Sequence, residues 1–121
     1  MNRMIPILRI VLCLYLLFWE PLNVATELLQ AWPTLEARGG WAVAELIFHG
    51  VVAMLAVAGG IALWIRSPHG PILAMLGLYA SLGRSMQIAR YSWLPHSFTP
   101  GMADIVAFVW AGHALLWTAF L

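Results

Sequence analysis

Glu45 and His49 stand four residues apart within an apolar run. On a helix that spacing puts a carboxylate and an imidazole on one face, one turn apart. The pair suits general acid–base work and proton relay, because both groups acquire shifted proton affinities in a low-dielectric site. Two further polar stripes accompany it. Glu20, Asn23, Glu27 and Gln30 follow a 3-4-3 spacing, and Ser81, Arg84, Gln87 and Tyr91 recur every three or four residues. Asp104 adds a carboxylate in the last apolar run. An arginine among these groups suits an anionic or carbonyl head, as on a quinone or a lipid. Glu45 and His49 are therefore the candidate catalytic pair. Glu20, Asn23, Glu27, Arg84, Gln87, Tyr91 and Asp104 are the candidate ligand-binding residues.

Other chemistries fare less well. Glu45, His49 and either Glu20 or Glu27 supply three nitrogen and oxygen donors of the kind that hold a divalent metal. No His-x-x-x-His or Glu-x-x-His pair occurs, however, and Arg84 would repel a cation, so no metal site is expected. Haem b, held by His49 and His113, is an alternative. It is weakened because His113 lies nine residues from Asp104, about 180° round a helix. His69 and His96 fall in breaks between the apolar runs and read as surface residues. The chain has no lysine, which excludes Schiff-base cofactors and a lysine nucleophile. Cys13 is the single cysteine, so disulfides and dithiol quinone chemistry are excluded and Cys13 reads as packing.

These residues need a scaffold that holds them away from water. The 121 residues are 63% hydrophobic and 9% charged, with a net charge of +1. A soluble domain of this size carries about a quarter charged residues. The composition excludes a soluble globular domain, a disordered chain and a nucleic-acid partner. It predicts one all-α integral membrane domain over 1–121, surrounded by lipid. Turn-rich breaks divide it into four transmembrane spans at about 4–31, 41–65, 72–93 and 101–121, each long enough as a helix to cross a hydrocarbon core of about 30 Å. Trp32, Trp41 and Trp93 fall at span ends on one side, and Trp64 and Trp117 near ends on the other, the pattern of an aromatic belt. Arg3, Arg9 and Arg66 bias one side and place both termini in the cytoplasm, with a bacterial inner membrane as the expected location. Glu20-Pro21 predicts a kink in the first span, and Ala56-x-x-x-Gly60 a close helix contact, within the bundle or between copies.

Depth then sorts the charges. At about 1.5 Å of rise per residue, Glu27, Glu45, Arg84 and Asp104 all fall within roughly 15 Å of the outer ends of their spans. A charge in hydrocarbon costs several kcal/mol, so such groups turn inward and pair, or line a hydrated cavity. The expectation is a polar pocket in the outer half of the bilayer. The plain alternative is a buried ion pair of Arg84 with Glu20 or Glu45 that fixes helix register, but four acids, a histidine and two arginines exceed what register requires.

The chain resembles the DoxX-like group of small four-helix membrane proteins. The likeness rests on Ile7-Leu8-Arg9-Ile10, on Ala44-Glu45-Leu46 through Gly59-Gly60-Ile61-Ala62-Leu63, on the short Arg66 turn and on Leu82-Gly83-Arg84. Some members of that group are membrane subunits of oxidoreductases, including quinone-linked ones. The resemblance implies Glu45 and Arg84 as polar site positions and does not extend to His49 or the Glu20/Glu27 stripe. The resulting expectation is a membrane protein that binds a quinone or lipid-like ligand, as subunit of a redox complex or as a homo-oligomer. A dimeric proton-coupled transporter is the alternative.

Overall fold

The computed structural model describes residues 6–90 and 103–120, and every element within them is helical. The first helical rod contains α1 (Pro6–Leu14), a π turn (Tyr15–Trp19), α2 (Glu20–Ala31), a 3-10 turn (Trp32–Thr34) and α3 (Leu35–Arg38). Then come α4 (Gly40–Trp64), α5 (Gly70–Arg90) and α6 (Ala103–Phe120). Among the described residues, two helical stretches, Ile7–Arg38 and Gly40–Trp64, are long and apolar enough to cross a membrane.

Pro21 gives the π turn a physical cause. A proline in a helix interior has no N–H and crowds the carbonyl four residues earlier, here that of Leu17. The chain answers with a wider turn, in which the Glu20 N–H reaches the Tyr15 carbonyl. The sequence-predicted kink is thus a π turn one step upstream of the proline. The expected loop after the first span is also shorter than its composition suggests. Helix continues to Arg38, and the reversal falls on Gly39 at φ +90°, a conformation open to glycine.

At the other end of α4 the chain turns through Arg66 at φ +57°. Arg66 N–H bonds to the Leu63 carbonyl at 3.1 Å and Ser67 N–H to the Ala62 carbonyl at 2.9 Å. This is the paired closure of a Schellman cap, with arginine where glycine is usual. Pro68 then prevents the helix from resuming.

Small residues set the spacing of the bundle. A Cβ on Gly59 would fall 2.7 Å from the Leu73 carbonyl oxygen, and one on Gly77 3.0 Å from Ala56 Cα. The backbones of α4 and α5 therefore nearly touch. Gly60 faces Leu16 and Leu17 of the π turn in the same way. The Ala56/Gly60 face is used inside the chain, which resolves the choice the sequence left open. Leu12, Cys13, Leu16, Ala56, Leu63, Ala74, Leu78 and Trp117 form the apolar core beside it.

The distribution of polarity is inverted relative to a soluble protein. Glu20, Glu45, His49 and Arg84 are buried, while Ile7, Leu29, Trp32, Trp41, Met54 and Phe108 are at least 69% exposed. Charged side chains are almost never fully buried unless paired, as these are, and large apolar side chains cover much of the outer surface instead.

Candidate functional site

The buried polar groups form one connected cluster that joins the first rod, α4 and α5. Arg84 is its hub. Its Nε donates to Glu20 Oε1, and its Nη1 donates to Glu27 Oε1 at 2.6 Å. Each carboxylate uses its second oxygen elsewhere. Glu20 Oε2 accepts from Ser81 Oγ at 2.9 Å, and the Ser81 oxygen lies 2.8 Å from the Tyr15 hydroxyl. Glu27 Oε2 lies 2.6 Å from His49 Nδ1. His49 Nε2 in turn lies 2.8 Å from Gln87 Oε1 and 3.7 Å from Glu45 Oε2.

Helix periodicity explains how these groups meet. Glu20 and Glu27 are seven residues apart, so they fall on one face of α2 two turns from each other. Ser81 and Arg84 share a face of α5, with Gln87 one turn farther on. Glu45 and His49 share a face of α4. Removing three carboxylates, a guanidinium and an imidazole from water separately would cost several kcal/mol per ion. Brought together, each satisfies another, and no buried side-chain nitrogen or oxygen among the described residues lacks a partner.

His49 is the group most capable of changing state. Its ring is fully buried, and both nitrogens face oxygen acceptors, Glu27 Oε2 and Gln87 Oε1. Which of the two nitrogens donates depends on the ring's tautomer and on which way the Gln87 amide is turned. If the Gln87 amide turns over, its N–H donates to Nε2 and the ring is satisfied as a neutral imidazole. A single flip of the Gln87 amide would thus let His49 keep a partner on each nitrogen with or without the second proton. Glu27 is the cluster's edge, with 14% of its side chain accessible against 1% for Glu20.

Apart from the cluster, an apolar groove of about 540 Å³ lies between the end of the first rod and the start of α4. Trp32, Leu35, Glu36, Gly39, Gly40 and Val43 line it. Its volume is that of a small-molecule site.

Six of the residues singled out in the sequence, Glu20, Glu27, Glu45, His49, Arg84 and Gln87, converge here. Asn23 turns back onto its own helix, where Nδ2 donates to the Trp19 carbonyl at 2.7 Å. Tyr91 and the side chain of Asp104 lie outside the described residues. His113 belongs to a separate aromatic group on α6, where its Nε2 accepts from Trp117 Nε1 at 3.0 Å. Since both His49 nitrogens are already engaged, a haem held by His49 and His113 would have to break the Glu27 or Gln87 contact. Among the described residues, no three His, Cys, Asp or Glu side chains are grouped so as to hold a metal ion.

Tyr15 is the site residue that helical spacing misses. Five residues on an α-helix separate Tyr15 from Glu20 by about 140°. The π turn removes most of that angle and lets both reach Ser81. Glu20-Pro21 was the available signal, since a proline next to a buried acid marks where regular spacing fails.

Comparison with known proteins finds no matching family, no similar curated protein and no solved structure of similar fold.

Proposed function

We propose that this chain is an integral membrane protein of four spans, with both termini on the cytoplasmic side, that binds a quinone-type or lipid-like ligand beside Glu27, Arg84 and Gln87 and exchanges protons with it through His49. The observation that carries this reading is the Glu27–His49–Gln87 chain, in which a buried imidazole can change protonation state without losing a hydrogen-bond partner. In this reading an isoprenoid or acyl tail would lie along the apolar groove lined by Trp32, Leu35 and Val43, with the exposed Trp32 and Trp41 at the level of the interface. The two long apolar helices support a membrane setting, and this reading takes α5 (21 residues) and α6 (18 residues) as the other two spans. Membership of the DoxX-like group, a role as membrane subunit of a redox complex and a bacterial inner membrane location are part of the same proposal.

The ligand is tested with a short-chain benzoquinone added to the protein in lipid nanodiscs, with quenching of the native tryptophans as the readout. Saturable quenching that weakens at least tenfold in Arg84→Met and Glu27→Gln is the expected result. Equal quenching in all three proteins would remove the residue assignment.

A dimeric proton-coupled transporter is the second reading, and the burial of Glu20 and Glu45 favours it, since a membrane-embedded carboxylate can exchange a proton for substrate. Uptake driven by a pH gradient in liposomes, together with a dimer in detergent, would select it over the first.

A further inference from the structure

Arg84 joins two carboxylates, and behind each lies a chain of groups able to reverse its hydrogen-bond direction. The Glu27 chain runs through His49 to the Gln87 amide. The Glu20 chain runs through Ser81 to Tyr15. We propose that Tyr15 and Ser81 form a second proton-holding limb of the site, so that the cluster holds one proton on Glu20 and another on the Glu27–His49 limb, with Glu27 left charged beside Arg84, as a two-proton carrier of the quinone class requires. The inference deepens the proposed function and rests on it for the ligand class. The limb itself stands on the geometry of the Tyr15 turn.

The direction of the limb follows from its atoms. With Glu20 charged, Oε2 can only accept, so Ser81 donates to it and the Ser81 oxygen receives the Tyr15 O–H. When Glu20 takes up a proton on Oε2, that O–H donates to Ser81. The Ser81 hydroxyl then turns and donates to the Tyr15 oxygen, and the Tyr15 O–H leaves Ser81. One proton has entered, and the two hydroxyl protons have rotated without being transferred. Nothing is oxidised, and the phenol stays a phenol.

Tyr15 therefore has to possess freedom on its far side. Its ring meets His113 at 5.0 Å and Trp110 at 6.4 Å between centroids, both on α6. The charged and titratable groups that face Glu20 are Arg84 on α5 directly, Glu27 on its own helix through Arg84, His49 and Glu45 of α4 through Glu27, and His113 of α6 across the Tyr15 ring. The π turn is what aligns Tyr15 with this limb. It also leaves Leu12, Cys13 and Leu16 packed in the core, so the limb works by hydroxyl rotation and not by movement of the helix.

The test uses the whole protein in lipid nanodiscs, prepared with ring-deuterated tyrosine and stepped from about pH 8 to about pH 4 during infrared difference spectroscopy. A tyrosine signal should accompany the carboxyl signal of Glu20, which Glu20→Gln assigns. That tyrosine signal should be lost in Tyr15→Phe, Glu20→Gln and Ser81→Ala. It should be retained in Glu27→Gln and restored in Ser81→Thr, which keeps a hydroxyl. Absence of a Tyr15 signal in the wild type, its survival in Ser81→Ala, or its equal loss in Glu27→Gln would overturn the second limb. Failure of quinone binding with this pattern intact would remove the ligand class and leave the limb standing.

Discussion

Replacing Arg84 with methionine isolates the energetics of the cluster. The side chain is 6% exposed and serves two carboxylates, one of which, Glu27, keeps His49 when the guanidinium is gone. Glu20 keeps only the neutral Ser81. Left charged it would be an uncompensated ion at 1% exposure, so it takes a proton instead. A glutamate has an ordinary value of about 4.3, and each unit corresponds to 1.36 kcal/mol, so holding Glu20 protonated at about pH 7 costs about 3.7 kcal/mol. That agrees with the roughly 3–5 kcal/mol measured when one partner of a buried pair is removed. At about pH 5.5 the same cost falls to about 1.6 kcal/mol. The sign is definite: the variant recovers as the pH falls, because the solution then supplies the proton that Glu20 needs. Unfolding of wild type, Arg84→Met and Arg84→Met/Glu20→Gln in the same detergent at both pH values makes the comparison. The double variant should regain most of the loss at about pH 7, since a glutamine needs no counter-charge. A loss under about 1 kcal/mol at pH 7, equal losses at the two pH values or no recovery in the double variant would refute the reasoning.

Other perturbations address separate parts of the structure. Gly59→Leu forces side-chain atoms into the Leu73 carbonyl and should part α4 from α5, costing about 1–3 kcal/mol in the same unfolding assay. Arg66→Gly relieves a left-handed residue at the α4 cap and should stabilise the chain by about 1 kcal/mol. Deleting one residue from the π turn should restore regular α-helix while turning Tyr15 away from Ser81; the Tyr15 infrared signal should vanish while Glu27–His49 behaviour persists. Because Cys13 is the sole cysteine and fully buried, single cysteines at Glu36 and Ser67 can be labelled selectively. In sealed vesicles of the proposed orientation, position 36 should react from outside and position 67 only after permeabilisation; the reverse pattern would invert the topology.

What was legible in the sequence depended on regular helical geometry. Glu45 with His49, Glu20 with Glu27, and Ser81 with Arg84 and Gln87 could be assigned to shared faces because 3.6 residues per turn governs α2, α4 and α5. The pairing between helices was not legible. Spacing gives a face but no partner, so Arg84 could be set against Glu20 or Glu45, whereas the structure has it bridging Glu20 and Glu27. Asn23 shows the same limit: it lies on the stripe, yet its amide bonds within its own helix. Tyr15 was hidden because the π turn breaks the rule by which the stripe was found. The turn at residues 34–40 read as a loop from its composition, but only Gly39 adopts a backbone that stops the helix. The polarity inversion was visible as scarcity of charge and became specific once the clustered charges, Glu20, Glu27 and Arg84 with Glu45 and His49, proved to be each other's partners.

The central claim is that a buried carboxylate–imidazole cluster exchanges protons with a quinone-type ligand, and calorimetric titration tests it most directly. A short-chain benzoquinone is titrated into the protein in nanodiscs in two buffers of differing ionisation heat. The account predicts binding whose enthalpy differs between the buffers, with that difference abolished in His49→Gln and Glu27→Gln. Binding with the same enthalpy in both buffers, or no binding at all, would contradict it.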